Sequence, residues 1–255
     1  MAKAILALAL IGVMMKFKVD KVYVITINKS RDNIKKIIDK VHSIGLPNEA
    51  PIEVVGVNGW NLTDEKYNRI IYKNWNISHE NSSLPEWYTR DITKGEVGCS
   101  LSHINIWKDA YSNNYENIII YEDDVASTGW DMNWSILDNI DFDLLYLGRT
   151  LQYNNEDNWD LYYNEDVCIP GFSYASHAYV LSKSGLEIFV NDYLPIFEYA
   201  IFPIDDLLPV TYNAPPLARY DLHELFDESR IIKALALNKQ VCTQEDRQSS
   251  TEPRD

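Results

Sequence analysis

The segment of residues 93–125 constrains the fold of this chain more than any other part of the sequence. Its first part predicts an α-helix that begins with a capping box, because Thr93 can accept a first-turn N–H while Glu96 bonds back to it. One apolar face follows at helical spacing: Val97, Leu101, Ile104, Trp107 and Tyr111. A second face carries Cys99, His103, Ile106 and Ala110. The pattern therefore indicates a helix that packs on two sides.

Three acidic residues follow the next predicted element. Residues 118–121 are apolar and mostly β-branched, which is typical of a buried strand, and Glu122, Asp123 and Asp124 come directly after them. Adjacent carboxylates repel one another, and hard oxygen ligands suit Mg²⁺ or Mn²⁺. On an extended backbone Glu122 and Asp124 would project to one side and Asp123 to the other. The triplet thus predicts a divalent-cation site, with a solvated acidic loop as the alternative.

The preceding part of the chain predicts a parallel α/β unit. Residues 21–28 and 52–57 have strand patterns, and an amphipathic helix to about Ser43 lies between them and ends at Gly45. A strand–helix–strand order implies a parallel crossover, and ligands of such sheets lie beyond the carboxyl ends of the strands. We therefore expect the turns at residues 28–31 and 57–58 to share one edge with the acidic triplet.

The second half of the chain continues the α/β pattern and adds another acidic centre. Residues 143–148 and 173–182 predict strands, and helices are predicted to begin at Lys183 and near Pro203. Asp205 and Asp206 lie between prolines, where they are either a charge pair at a helix N-terminus or candidates for a general base. Residues 60–92 are polar and aromatic without clear periodicity. This stretch is either a lid or acceptor-binding region, or a loop-rich insertion packed by its aromatic side chains.

Composition excludes some classes of protein. The chain has 255 residues, 46% of them hydrophobic, which is typical of one folded globular domain. Its net charge of −15 argues against a nucleic-acid partner. Three cysteines at irregular spacing predict no disulfide framework. The apolar part of residues 1–20 resembles a secretory signal or a buried helix but is shorter than a transmembrane span. Whether the chain forms a homo-oligomer is left open.

Residues 93–108 together with residues 121–125 resemble glycosyltransferase family 25, and within it the collagen-modifying procollagen galactosyltransferases. The resemblance implies an α/β fold with one GT-A type nucleotide-sugar-binding domain over residues 21–255. Its sheet would be mixed but mostly parallel, with helices on both faces. It also implies residence in the endoplasmic reticulum lumen, with the cytoplasm as the alternative.

The resemblance assigns roles to individual residues. Glu122 and Asp124 would hold Mn²⁺, with Mg²⁺ as the alternative, against the diphosphate of UDP-galactose or UDP-glucose. Asp205 or Asp206 would deprotonate the acceptor hydroxyl in an inverting transfer to hydroxylysine of a collagen-like polypeptide. The remaining predicted donor-site residues are Asn28, Ser30, Arg31, Val57, Asn58, Ser102, His103 and Asp123.

Three alternatives to this function stay open. One is a lipooligosaccharide galactosyltransferase of the same family, which differs only in its acceptor. Another is a metal-dependent phosphodiesterase or nuclease that uses the same carboxylates. The last is a sugar- or protein-binding module without activity.

Overall fold

The computed structural model describes residues 16–78, 84, 86–151, 160–214, 219–226 and 229–245. Most of the predicted N-terminal apolar segment, residues 1–15, lies outside them. Within the described ranges, no helix has both the length and the apolar character needed to cross a bilayer.

Helices and strands alternate through most of the chain. The helices are α1 (Arg31–Ile44), α2 (Asp64–Ile70), α3 (Lys94–Ser112), α4 (Lys183–Ile188), α5 (Leu194–Phe197), α6 (Ile204–Thr211) and α7 (Tyr220–Leu225). A π-helical turn, Phe189–Tyr193, joins α4 to α5. The strands are β1 (Lys21–Ile25), β2 (Ile52–Val55), β3 (Asn117–Glu122), β4 (Val125–Ser127), β5 (Leu144–Leu151), β6 (Leu161–Tyr162), β7 (Val167–Ile169), β8 (Ser173–Ser182), β9 (Ala234–Leu237) and β10 (Cys242–Gln244).

Eight of these strands form one sheet in the order β2-β1-β3-β8-β5-β9-β7-β6. β1 pairs in parallel with both β2 and β3, and β5 pairs in parallel with β9. Strand β8 is antiparallel to β3 and to β5, and β7 is antiparallel to both of its neighbours. Six of the eight strands therefore run in one direction. The predicted mixed, mostly parallel α/β sheet is confirmed.

The central strands are apolar on both faces, as expected for a sheet covered on two sides. Ile118 and Ile120 contribute to one core, and helix α3 packs there through Val97 and Trp107. Ile119 contributes to the second core, where α1 is also buried. The predicted placement of helices on both faces of the sheet is therefore confirmed.

Helix α3 begins as predicted and is packed on two sides. Thr93 Oγ1 accepts the Glu96 N–H, and the Glu96 carboxylate accepts the Thr93 N–H, which completes the capping box. His103 and Trp107 are fully buried. Tyr111 was predicted to lie on the apolar face but is 40% exposed, because it belongs to the last turn, where α3 extends past the core.

The contact between α3 and the loop after β2 is very close. A Cβ on Gly98 would lie 2.5 Å from the Gly59 nitrogen and 2.7 Å from the Val57 carbonyl oxygen. A glycine is needed here, since any side chain would push the helix away from the loop. This contact lets the Val57 N–H donate to Ser102 Oγ at 2.9 Å.

Several elements have no counterpart in the sequence-based prediction. Residues 60–92 contain α2, and two of their aromatic residues, Trp75 and Tyr88, are buried in the core. The short strands β6 and β7 lie between the predicted strands at residues 143–148 and 173–182, where no element was predicted, and residues 152–159 are outside the described residues. Helix α7 and strands β9 and β10 follow residue 214, where the sequence carried little pattern.

Candidate active site

The carboxyl ends of β1, β2 and β3 meet at one edge, as the parallel pairing requires. Ile25 lies opposite both Val55 and Glu122, so the turn after β1 is beside the acidic triplet. Thr26 Oγ1 donates to Asp123 Oδ2 and accepts the Asn28 N–H at 3.1 Å. The predicted meeting of these turns at one edge is confirmed.

Glu122, the last residue of β3, has one oxygen occupied and one free. Its Oε1 lies 2.6 Å from Ser176 Oγ and 3.3 Å from His103 Nε2. Its Oε2 accepts no hydrogen bond from the described part of the chain. Burial works to raise the pKa of Glu122, but the bonds from His103 and Ser176 outweigh it and hold the pKa below its usual value. Glu122 is therefore ionised with one oxygen available for a cation.

Asp124 has a buried oxygen without a partner. Its Oδ2 accepts from Gln244 Nε2 at 2.8 Å, while its Oδ1 is buried and has no hydrogen-bond partner among the described residues. Burial and the nearby charge of Glu122 raise the pKa of Asp124 to about 6. Asp123 and Asp124 occupy a turn between β3 and β4 and not an extended backbone. The alternation by which we predicted side-chain directions does not apply to them.

Ser176 connects Glu122 to the second acidic centre. Its Oγ is also 2.8 Å from Asp205 Oδ1, which additionally accepts the Ser176 N–H at 2.9 Å. A hydroxyl donates only one hydrogen, so it cannot satisfy both carboxylates at once. Burial and the charge of Glu122 raise the pKa of Asp205 to about 6. A proton or a cation would offset the negative charge of the two carboxylates, Glu122 and Asp205. The available ligand atoms are oxygens, which fit a hard divalent ion.

Asp206, the next residue of α6, is held by a different partner. Tyr88 donates its hydroxyl hydrogen to Asp206 Oδ1 at 2.5 Å. Burial raises the pKa of Asp206 to about 7 although the bond from Tyr88 opposes this shift. Asp205 and Asp206 both line a cavity of about 480 Å³, whose other walls include Trp87, Tyr174 and Gln244. The two acidic centres predicted from sequence therefore lie at one site.

The raised pKa of Asp206 predicts how stability depends on pH. An unfolded aspartate has a pKa of about 3.9, so the folded state binds the proton more tightly than the unfolded state does. The free energy of unfolding should fall as pH rises from about 4 through about 7. Asp206→Asn keeps an oxygen for Tyr88 and should be more stable than wild type at pH 8 by about 2 kcal/mol. Urea unfolding at pH 5 and pH 8 measures this, with exposed Asp39→Asn as the control. A pH dependence equal to that of wild type would contradict the assignment.

The predicted donor-site residues fall into an exposed and a buried group. Asn28, Ser30 and Arg31 are exposed in the turn that leads into α1. Asn58 Oδ1 accepts the Trp60 N–H and caps a short 3-10 turn. Ser102 and His103 are buried, and Ser102 Oγ donates to the Gly98 carbonyl. The polar groups of these two side chains pair within the protein.

Sequence reasoning missed several residues of the site. Ser176 and His177 lie in a strand that was predicted, but the antiparallel direction of β8, which brings them to this edge, has no signal in the sequence. His177 is buried, and both of its ring nitrogens lack partners among the described residues. Gln244 reaches Asp124, 120 positions earlier in the chain, because β10 pairs with β4.

Comparisons with known proteins identify relatives of the chain. A family profile described as "Glycosyltransferase family 25 (LPS biosynthesis protein)" matches residues 19–208. "Procollagen galactosyltransferase 2" of Homo sapiens is 27% identical over 228 residues, covering 87% of this chain and 34% of that protein. "Glycosyltransferase 25 family member" of Aedes aegypti is 25% identical over 207 residues, covering 79% and 32%. The chain thus spans about a third of the length of these relatives.

Some relatives are named as inactive. "Probable inactive glycosyltransferase 25 family member 3" of Rattus norvegicus is 31% identical over 144 residues, covering 52% of this chain and 24% of that protein. A solved structure of mannose-1-phosphate geranyltransferase from Thermus thermophilus has 9% sequence identity and a TM-score of 0.35 to this chain. The match covers 87% of this chain and 74% of the geranyltransferase chain. That score is too low to indicate a shared fold.

The family profile covers most of the chain, so the predicted family is confirmed: the chain belongs to glycosyltransferase family 25.

Proposed function

We propose that this chain transfers a hexose, galactose or glucose, from a UDP-sugar to hydroxylysine of a collagen-like polypeptide, in a reaction that depends on Mn²⁺ or Mg²⁺. The observation that carries the proposal is the buried, unpartnered Oδ1 of Asp124 close to Glu122, whose Oε2 is also free within the described part of the chain. A buried carboxylate oxygen without a donor is costly unless a cation or proton completes it. Glu122 ends β3 and Asp124 lies in the turn after it, at the edge where sheets of this kind bind nucleotides.

The proposed reaction divides its work between the two acidic centres. A divalent ion held by Glu122 and Asp124 would stabilise the charge that develops on the leaving diphosphate. Asp205 would accept the proton of the acceptor hydroxyl as that oxygen attacks the sugar. A pKa of about 6 suits this role, because a base is most effective near the working pH. We favour Asp205 over Asp206 as the base. Ser176 forms hydrogen bonds with both Asp205 and the proposed metal ligand Glu122, whereas Asp206 accepts a hydrogen bond from Tyr88.

Other predicted residues would support the donor. Asn28, Ser30 and Arg31 lie in an exposed turn. Thr26 connects this turn to Asp123, because its hydroxyl donates to Asp123 and accepts the Asn28 N–H. We therefore propose that the turn contacts the nucleotide. Val57 and Asn58 would line the adjoining loop. Ser102 would act indirectly, because it fixes that loop through the Val57 N–H. The acceptor would enter through the cavity next to Asp205.

Ligand-induced stabilisation tests the donor half of this proposal. UDP with Mn²⁺, each at about 100 times its dissociation constant, should stabilise the protein by about 2.7 kcal/mol, which raises Tm by roughly 5–10 °C. UDP with a chelator should give a smaller shift. ADP with Mn²⁺ is the control for selectivity toward the uracil nucleobase. No shift with UDP and Mn²⁺ at millimolar concentration would contradict the proposal.

The acceptor requires a separate experiment. Mass spectrometry of a hydroxylysine peptide after incubation with UDP-galactose or UDP-glucose should show the mass of one hexose, and a matched lysine peptide should not. The description of the matching family, which names LPS biosynthesis, supports a second candidate, a lipooligosaccharide acceptor. A lactose-type acceptor belongs in the same assay for this reason. Hydrolysis of simple phosphodiesters without sugar transfer would indicate the phosphodiesterase alternative.

A further inference from the structure

We infer that His103 is a positioning residue for Glu122, and that a buried chain of hydrogen bonds through Trp107 and Tyr179 fixes which imidazole nitrogen carries the hydrogen. The inference rests on the proposed function only in assigning Glu122 to a cation. The hydrogen bonds run from Trp107 of helix α3 to Tyr179 of strand β8. They then return to His103 of α3 and end at Glu122, the last residue of β3.

The donors and acceptors fix the direction of each bond. An indole N–H can only donate, so the Tyr179 oxygen accepts from Trp107 Nε1 at 3.2 Å. The single hydroxyl hydrogen of Tyr179 then points to His103 Nδ1 at 2.7 Å. The His103 hydrogen is therefore on Nε2, which lies 3.3 Å from Glu122 Oε1.

The opposite assignment leaves a buried group unpaired. If Nδ1 carried a hydrogen, the Tyr179 oxygen would accept two bonds, and its own hydrogen would have no acceptor in the described part of the chain. Tyr179, Trp107 and His103 are all fully buried, where an unmade hydrogen bond is costly. The His103 and Tyr179 rings are also nearly parallel, at 15°, which restricts reorientation of the imidazole.

The position of the hydrogen on Nε2 distinguishes two possible roles of His103, which are direct binding of a metal and positioning of Glu122. Cys99, His103 and Glu122 each place a potential ligand atom within 4.8 Å of the others, a spacing that would suit a softer ion such as Zn²⁺. A nitrogen that carries a hydrogen has no lone pair for a metal. His103 would instead hold Oε1 of Glu122 and leave Oε2 for a hard cation.

The hydrogen position can be read directly in the metal-free protein. Nitrogen-15 NMR of histidine-labelled protein distinguishes the two tautomers, and His103→Gln identifies the signal among the five histidines. Wild type should show hydrogen on Nε2 of His103. Tyr179→Phe keeps the ring but removes the hydroxyl that donates to Nδ1, so the Nδ1 resonance of His103 should shift to that of an imidazole nitrogen that accepts no hydrogen bond. Hydrogen on Nδ1 in wild type, or an Nδ1 resonance unchanged in Tyr179→Phe, would overturn the inference.

Mn²⁺ affinity tests the effect on Glu122. Tyr179→Phe should weaken Mn²⁺ binding about tenfold, since supporting bonds of this kind typically contribute about 10–100-fold. Tyr193→Phe removes another buried hydroxyl, one that donates to the Arg230 carbonyl, and should leave the affinity unchanged. His103→Gln, which retains an N–H, should bind Mn²⁺ more tightly than His103→Leu, and equal binding by these two variants would overturn the positioning role.

Two further outcomes separate the inference from the function. A thiolate-to-metal charge-transfer band with Co²⁺ that disappears in Cys99→Ser would overturn the inference and indicate direct binding by Cys99, His103 and Glu122. Failure of wild type to bind Mn²⁺ at all would overturn the proposed function. The histidine tautomers would still decide whether the chain of hydrogen bonds exists.

Discussion

Asp124→Ala is expected to abolish metal-dependent sugar transfer while the protein stays folded. Asp124 supplies a buried carboxylate oxygen that has no partner in the described part of the protein, so its loss removes a proposed cation ligand and breaks only one side-chain hydrogen bond there, from Gln244. A cation at a leaving diphosphate contributes several kcal/mol, so kcat should fall about 10³-fold or more. Initial rates with UDP-galactose and UDP-glucose, over a range of Mn²⁺ concentrations, measure the effect.

The same position should show the opposite effect on stability. Burial and the charge of Glu122 raise the pKa of Asp124, which means that the ionised form is unfavourable in the metal-free fold. Asp124→Asn keeps the bond to Gln244 and removes the charge, so without metal it should be more stable than wild type by about 1–2 kcal/mol. Asp39→Asn on the exposed face of α1 is the control. Full activity in Asp124→Ala would refute the metal assignment.

Asp205→Asn is expected to lose turnover while it retains the donor. General bases contribute about 10²–10⁴-fold, so kcat should fall within this range. Asparagine can still accept the Ser176 N–H, which keeps the first turn of α6 in place. The UDP and Mn²⁺ thermal shift should therefore persist in this variant, and that result separates a lost base from a lost binding site.

Asp206→Asn is the matched comparison, because it alters the neighbouring carboxylate in the same cavity. If Tyr88 holds Asp206 in a supporting role, this variant should lose much less activity than Asp205→Asn. A larger loss in Asp206→Asn would reverse the two roles. Normal turnover in both variants would mean that the base lies elsewhere in the site.

Local signals in the sequence predicted the elements that bring the site together. Thr93 and Glu96 marked the start of α3, and the β-branched run before Glu122 marked β3. Once two strands and a helix were placed in order, parallel pairing put their carboxyl ends at one edge. The positions of Glu122 and Asp124 beside the turn at residues 28–31 followed from this rule and needed no knowledge of distant contacts, whereas the position of Asp205 depends on its bonds to Ser176 of β8.

What the sequence did not predict depends on pairing between distant segments. The role of Ser176 requires β8 to run antiparallel between β3 and β5, and no residue of β8 signals that direction. Burial of His103 follows from its contact with Tyr179, which is 76 positions away. The side-chain directions after Glu122 were predicted from an extended strand, whereas the chain turns there. Hydrophobic periodicity carries no information about such contacts.

The last described strands have a consequence for anyone who shortens this chain. The family profile ends at residue 208, yet β9 lies inside the sheet between β5 and β7, and Gln244 holds Asp124. A fragment cut at the profile boundary would open the sheet through its middle and expose two unpaired strand edges, a common cause of aggregation. The functional unit that should be expressed therefore extends at least through Glu245.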